Sequence, residues 1–271
     1  MRGQLPAWFM ILVALGLGIT ARSPAQDWAR RRLEASPRHQ EWVTITYDRR
    51  TVHAFVVYPE VKTKTPAVIV IHENRGLTDW VRSVADQLAE AGVIAIAPDL
   101  LSGMAPGGGR TSDFPSEDAA REAISKLPPE QVMADLNAVA DYAARLPAGN
   151  GKVAVAGFCW GGSQAFRFAT HRPNLAAAFV FYGTGPRDSE SLARIRCPIY
   201  GFYGGNDARV TATVPETAEA MKRLGKTFEP VTYEGAGHGF MRTGEEPNPA
   251  EANRKAREQA WKRWKELLKK L

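Results

Sequence analysis

The stretch Lys152–Ala165, which reads KVAVAGFCWGGSQA, constrains the fold of this chain more than any other. Its apolar run Val153–Ala156 predicts a buried strand, and the segment after the glycines is compatible with a helix. Gly157 and Gly161 flank Cys159, and so sharp a turn needs residues without a Cβ where strand and helix approach each other. The pattern predicts a strand–turn–helix elbow with the cysteine at its tip.

The predicted position of Cys159 suits a nucleophile. At the N-terminus of a helix, the peptide dipoles favour a thiolate, which is the nucleophilic form of cysteine. The alternative is a buried structural cysteine beside a glycine-rich turn. A catalytic role therefore requires a base and an orienting acid elsewhere in the chain.

Two later predicted strands end in residues that could supply this acid and base. The segment YGFYGGND leaves one strand at Asp207, and YEGAGHGF leaves the next at His238. In an open parallel sheet, the carboxyl ends of the strands form the edge where sites lie. Asp207 alone could be a turn residue, and His238 alone a helix cap or core group. The order nucleophile, acid, histidine is that of α/β-hydrolases, so the three together favour a catalytic triad.

The rest of the chain alternates predicted strands and helices, which indicates an α/β fold with a mostly parallel central sheet and helices on both faces. Pro230 cannot donate to a strand ladder, so we place its strand at or near an edge of the sheet. The predicted strands are 41–47, 51–58, 67–71, 93–97, 153–156, 176–182, 198–203 and 228–233, and the predicted helices are 78–91, 116–126, 131–145, 162–170, 214–224 and 249–270.

The segment 102–129 interrupts this alternation. It contains three consecutive glycines and several prolines, and it lacks the Lys and Ser/Thr pattern of a phosphate-binding P-loop. We interpret it as an irregular insert that forms a flexible lid or rim.

The N-terminus has the pattern of an export signal. Arg2 precedes a short apolar run at Ala7–Ile19, and small residues follow at Ser23–Ala25. The run is shorter than the ~20 residues of a transmembrane helix, although retention as an anchor is an alternative. We expect a signal peptide at 1–25, a polar leader at 26–40 and a hydrolase-like domain at 41–271. The domain would then be extracytoplasmic, with no stable membrane insertion unless the signal is retained.

An oxidising compartment raises the question of whether Cys159 and Cys197 form a disulfide. Cys197 precedes its predicted strand, whereas Cys159 follows its own, so the two lie at opposite ends of a parallel sheet. A strand of five residues spans about 17 Å, and a disulfide tolerates only about 7 Å between Cα atoms. We expect two free thiols, with Cys197 as a buried packing residue.

Composition and charge argue against several other classes of protein. The chain is 44% hydrophobic and 24% charged, as in ordinary globular proteins. Much of its net charge of +6 lies in Arg30–Arg32 and the last predicted helix, and no nucleic-acid reader motif accompanies it. The chain has five histidines, and neither His72–Glu73 nor any other segment has metal-ligand spacing. We expect no metal, no cofactor and no nucleic-acid partner, and we expect a monomer.

Three motifs together resemble the dienelactone hydrolase family of α/β-hydrolases. They are GFCWGG around Cys159, GGNDARV around Asp207 and GAGHGFMR around His238, and the resemblance extends from about Trp42 to the C-terminus. It implies that Cys159 is the nucleophile, His238 the general base and acid, and Asp207 the orienting acid.

The resemblance also implies roles for neighbouring residues. Glu73 would bond the resting thiol and move aside when substrate arrives, and the backbone N–H groups of Trp160 and Asn74 would hold the oxyanion. Arg242 matches a position at which the family binds a substrate carboxylate, and Arg121 matches a second such position less closely.

The implied activity is hydrolysis of a small carboxylic ester or lactone through an acyl-enzyme. The insert is longer than in the family, and Leu101 replaces a family tyrosine, so the natural substrate stays open. A thioesterase or peptidase on the same fold is an alternative. Another is an exported binding protein with a vestigial triad.

Overall fold

A central eight-stranded sheet organises the structure, a computed structural model that describes residues 26–271. The predicted signal segment 1–25 lies outside the described residues. The strands are β1 (Gln40–Tyr47), β2 (Arg50–Val57), β3 (Thr65–Ile71), β4 (Ile94–Asp99), β5 (Gly149–Phe158), β6 (Ala178–Phe181), β7 (Ile199–Gly204) and β8 (Phe228–Tyr233).

The strand order is β1-β2-β4-β3-β5-β6-β7-β8. The β1/β2 and β2/β4 pairs are antiparallel, and all later pairs are parallel. β8 is an edge strand, which confirms the position predicted from Pro230. Because β3 to β8 run in one direction, their carboxyl ends meet at a single edge of the sheet.

Helices cover both faces of the sheet, as predicted, and bury a separate apolar cluster on each face. One cluster contains residues of α3, α4, α5, α6 and α8, and the other contains residues of α1, α2, α9 and α10. The helices are α1 (Asp27–Ala35), α2 (Asp79–Glu90), α3 (Glu117–Ser125), α4 (Pro129–Ala144), α5 (Trp160–His171), α6 (Ser189–Ala193), α7 (Ala208–Thr211), α8 (Val214–Arg223), α9 (Phe240–Thr243) and α10 (Glu251–Leu268).

The segment 26–40 is more structured than the polar leader expected from its sequence. Its helix α1 packs on α2 and buries Ala29 and Leu33. These two residues are four positions apart, so a single helical face carries both, and the surrounding arginines obscure this short apolar face in the sequence. Arg32 also forms an ion pair with Glu245 (3.3 Å), which follows α9.

The insert at 102–129 contains two short 3₁₀ turns, at 106–108 and 111–113, and the predicted short helix as α3. Its first part is attached to the sheet. The guanidinium of Arg110 lies 3.9 Å from the ring centroid of Trp42 on β1, and Arg50 on β2 donates to the carbonyl of Ser102. Arg50 also pairs with the buried Asp135 of α4 at 3.0 Å.

Both cysteines are free, and they lie at opposite ends of their strands. Cys197 is buried in front of β7, and burial raises the pKa of its thiol to about 11. This environment suits the packing role expected for it. Among residues 26–271, none of the helices is both long and apolar enough to cross a membrane.

Candidate active site

The elbow between β5 and α5 holds Cys159 in a conformation that side chains rarely adopt. Its φ is 55° and its ψ is −117°, outside the regions favoured by non-glycine residues. A Cβ added at Gly157 would overlap the carbonyl oxygen of Gly161, and one added at Gly161 would overlap the carbonyl oxygen of His72. The two glycines are therefore required for the close approach of backbone at this turn.

The loops after β7 and β8 are bonded to each other, which places an acid beside a histidine. The N–H groups of Gly205 and Asn206 donate to the carbonyls of Tyr233 and Ala236, each at 2.8 Å. In addition, Asn253 of α10 accepts the N–H of Gly237 at 2.9 Å. Asp207 ends the first loop and His238 ends the second, so these backbone bonds fix their separation.

The structure brings the three predicted triad residues together. His238 contacts the thiol of Cys159 through Nε2 at 3.0 Å and the carboxylate of Asp207 through Nδ1 at 2.5 Å. Asp207 is only 7% exposed, and Cys159 is partly exposed at the tip of the elbow. A nucleophile, a base and an orienting acid in this geometry can perform covalent catalysis.

The charge state of His238 follows from these contacts. The hydrogen bond with Cys159 is the largest cause of a raised pKa at His238. Partial burial opposes the rise and Asp207 adds to it, and the pKa reaches about 9. An imidazolium is therefore favoured at neutral pH. It can stabilise a thiolate and later donate its proton.

Two backbone N–H groups are the predicted oxyanion donors. Trp160 is the first residue of α5, so its N–H has no acceptor within the helix. Asn74 lies in the turn after β3. The elbow brings α5 close to this turn, because Gly161 packs against the backbone of Ile71 and His72. The two predicted donors thus belong to segments in direct contact.

The position of Glu73 corrects one expectation. The resemblance implied that Glu73 bonds the resting thiol, but its carboxylate instead accepts a hydrogen bond from Nε of Arg242 at 3.0 Å. Glu73 is 7% exposed, and a buried carboxylate gains more from a guanidinium than from a thiol. The thiol of Cys159 contacts His238 in its place.

Arg242, predicted to bind a substrate carboxylate, is already paired with carboxylates of the protein. Besides Glu73, its Nη1 donates to Glu246 at 3.1 Å. Partial burial opposes its charge, but the two carboxylates raise the pKa of Arg242 above its ordinary value. A substrate carboxylate would therefore have to replace one of these partners.

Arg121, the weaker candidate for substrate binding, lies on the exposed side of α3. Its guanidinium pairs with Asp118 of the same helix at 2.8 Å, and 45% of its side chain is exposed. The structure does not bring this ion pair into the hydrogen-bonded group formed by Cys159, His238 and Asp207.

Two aromatic residues lie beside the triad: Tyr182 was not singled out in the sequence, and His72 was considered only as a metal ligand. Tyr182 follows β6 with a φ of 42°, and the edge of its buried ring packs against His238 at a centroid distance of 5.1 Å. His72 is completely buried and stacks on Trp160 at 5.4 Å, and this burial lowers its pKa and favours the neutral ring. Both follow strands, so the strand-end rule could have identified them.

Within the described part of the chain, no group of three or more His, Cys, Asp or Glu side chains is arranged to hold a metal ion. Nδ1 of His72 donates to the carbonyl of Glu73 at 2.7 Å.

Comparison with known proteins identifies related sequences. The profile of the dienelactone hydrolase family matches residues 52–271. A protein of Methylorubrum extorquens named as a candidate carboxymethylenebutenolidase is 31% identical over 210 residues, covering 73% of this chain and 71% of that protein. The carboxymethylenebutenolidase of Pseudomonas putida is 30% identical over 203 residues, covering 73% of this chain and 84% of that protein.

A solved structure shows the same architecture. The crystal structure of a candidate dienelactone hydrolase from Klebsiella pneumoniae subsp. pneumoniae has a TM-score of 0.75 and 27% identity. The similarity covers 86% of this chain and 99% of that one.

The raised pKa of His238 can be measured directly. In wild-type protein, the ring protons of His238 should titrate near pH 9 in NMR spectra, because the imidazolium is held by Cys159 and Asp207. In Cys159→Ala the midpoint should move down towards the ordinary value of 6.5, since the contact that contributes most is removed. The His238 signal is assigned by its loss in His238→Gln. A midpoint near 6.5 in wild type, unchanged in Cys159→Ala, would contradict the prediction.

Proposed function

The chain belongs to the dienelactone hydrolase family, and from this premise we propose that it is an exported, cysteine-dependent hydrolase of small carboxylic esters or lactones. The supporting observation is the position of His238, whose ring lies between the thiol of Cys159 and the carboxylate of Asp207. This contact explains how a thiolate is made available and where its proton is held.

In the first step, the thiolate of Cys159 attacks the carbonyl carbon of the ester. A carbon–sulfur bond forms, and the electron pair of the carbonyl double bond moves to oxygen. The resulting oxyanion accepts hydrogen bonds from the N–H groups of Trp160 and Asn74. Each donor of this kind typically stabilises the transition state by about 2.7–4 kcal/mol.

The intermediate then collapses. The carbonyl bond re-forms, the bond to the leaving oxygen breaks, and that oxygen takes the proton of the His238 imidazolium. Cys159 is now an uncharged thioester, so the largest cause of the raised pKa of His238 is lost. The neutral imidazole can therefore act as base for the attack of water, which releases the acid and regenerates the thiolate.

The substrate class follows from Arg242. We place a carboxylate of the substrate against this guanidinium, where it would replace Glu73 or Glu246. A partly buried guanidinium favours such a paired contact, because charge-assisted bonds are stronger where water is excluded.

The nucleophile is tested by comparing the two cysteines. We expect Cys159→Ala to abolish hydrolysis of p-nitrophenyl esters and lactones, and Cys159→Ser to retain weak activity, because a hydroxyl loses its proton far less readily than a thiol. Cys197→Ala is the matched control and should keep the wild-type rate within a few-fold, since Cys197 is buried before β7.

A panel that includes thioesters and peptides separates the proposed activity from its alternatives. If the wild-type protein hydrolyses peptides or thioesters in preference to esters, the proposed substrate class is wrong. Full esterase activity in Cys159→Ala would rule out the proposed mechanism.

The role of Arg242 is tested by the charge of the substrate. Arg242→Met should lower kcat/KM for a carboxylate-bearing lactone by about 10- to 100-fold, as expected for loss of a bond worth about 1.5–3 kcal/mol. The same variant should change the rate on neutral p-nitrophenyl acetate much less. The ratio of kcat/KM on the two substrates cancels any general loss of activity, including a loss caused by leaving Glu73 without its partner.

Arg121→Met is the comparison variant. We expect no change in the substrate ratio, because its ion pair is with Asp118 on the exposed face of α3. Equal losses of kcat/KM on both substrates in Arg242→Met would indicate a hydrolase of neutral esters. A changed substrate ratio in Arg121→Met would indicate that Arg121, and not Arg242, binds the substrate carboxylate.

Export is proposed from the N-terminal sequence. Cleavage after Ala25 would leave the side chain of Gln26 in place, where it accepts the N–H of Trp80 at 3.0 Å, and would leave α1 intact. N-terminal sequencing of protein from the extracytoplasmic fraction should therefore give a start at Gln26 or Asp27. Recovery of the protein in the cytoplasm with Met1 retained would refute export, and recovery with Met1 in the membrane fraction would indicate a retained anchor.

A further inference from the structure

We propose that Thr111, in the insert, is a positioning residue for the loop that supplies the oxyanion donor Asn74. The proposal rests on the proposed function. The loop in question, residues 72–77, connects β3 to α2 and carries Glu73 as well as Asn74. Its far end is held by the side chain of Thr111, which the sequence places in an irregular segment without assigning it a role.

The hydroxyl of Thr111 bridges the loop to a buried carboxylate. It accepts the N–H of Leu77 at 3.1 Å and donates to Oδ1 of Asp99 at 2.7 Å. The N–H of Thr111 donates to Oδ2 of the same carboxylate at 2.9 Å. Asp99 is 1% exposed and ends β4, so the carboxylate is a fixed point of the sheet to which the loop is attached.

The same side chain also limits the space available to the loop. Gly76 has a φ of +78°, and a Cβ added there would overlap the Thr111 side chain. The left-handed glycine lets the loop lie directly against the threonine. Loop 72–77 is therefore packed on Thr111 at Gly76 and bonded to it at Leu77, two and three residues from Asn74.

The insert touches this loop at a second point and is itself anchored. Arg75, the neighbour of Asn74, pairs with Glu117 at the start of α3 at 3.1 Å. On the other side of Thr111, the guanidinium of Arg110 lies over the ring of Trp42. Both attachments to the insert directly follow Asn74 in the chain, and the insert is itself attached to β1.

These contacts suit a role in transition-state stabilisation. A backbone donor acts on an oxyanion only when it is held at the correct distance, and a displacement of about 1 Å can cost about 100-fold in rate. Without the hydroxyl, the buried N–H of Leu77 and the carboxylate of Asp99 each lose a partner, which favours movement of the loop. The hydrogen bonds of Thr111 are to Leu77 and Asp99 and not to a triad residue, so we expect the geometry of the triad to persist.

The test compares Thr111→Val, which keeps the shape and removes the hydroxyl, with Thr111→Ser, which keeps the hydroxyl. We expect Thr111→Val to lower the acylation rate on p-nitrophenyl acetate, measured in single turnovers, by about 10- to 100-fold. Its KM should change by less than about threefold, because the lost interaction acts in the transition state. Thr111→Ser should restore most of the rate. Thr217→Val, which removes a hydroxyl that donates to the carbonyl of Thr213 just before α8, is the matched control and should resemble wild type.

A second measurement separates positioning from general damage. Alkylation of Cys159 by iodoacetamide uses the same thiolate and His238 but forms no tetrahedral oxyanion. In Thr111→Val its rate should stay within about twofold of wild type while ester acylation falls. A parallel fall of both rates, no fall in acylation, or failure of Thr111→Ser to recover would overturn the proposal. If wild type has no esterase activity, or Cys159→Ala retains it, then the proposed function itself has failed, and these outcomes are distinguishable.

Discussion

The whole site depends on one close approach of backbone to backbone. At the elbow, Gly161 lies against the carbonyl groups of Ile71 and His72, and Gly157 lies against Gly161 itself. Because no side chain intervenes, the start of α5 reaches the end of β3, and the loop with Asn74 comes next to Trp160. The strained conformation of Cys159 is tolerated because strands on both sides hold the turn, and its N–H donates to Phe181 at 3.0 Å.

Two separate ion pairs lie around the elbow. Asp207 faces the imidazole of His238, and Glu73 faces the guanidinium of Arg242, so each of these two carboxylates has its own cation partner. A buried carboxylate without such a partner would carry a large desolvation cost. Because Glu73 is bonded to Arg242, its carboxylate does not bond the thiol of Cys159, which contacts His238 instead.

The elements that could be predicted from the sequence are those set by local pattern. Glycines around Cys159 have few uses other than a sharp turn, and Pro230 restricts its strand to an edge, so both predictions are confirmed. Contacts between distant segments could not be predicted in this way. The partner of Glu73 is 169 residues away in Arg242, and nothing near either residue indicates the pair.

The same limit applied to the N-terminal helix and to the insert. Ala29 and Leu33 form a face only when α2 is present to cover it, and the arginine-rich composition indicates a solvated segment. Thr111 is an ordinary loop residue until Asp99 and Leu77 are placed beside it. The position of His238 in the loop after the outermost strand has a further consequence for the stability of the site. β8 has a neighbour on one side only, and edge elements open locally at lower free energy than the centre of a sheet. Departure of that single strand would separate the histidine from the sulfur while the remaining seven stay paired, so the chemistry is more fragile than the fold.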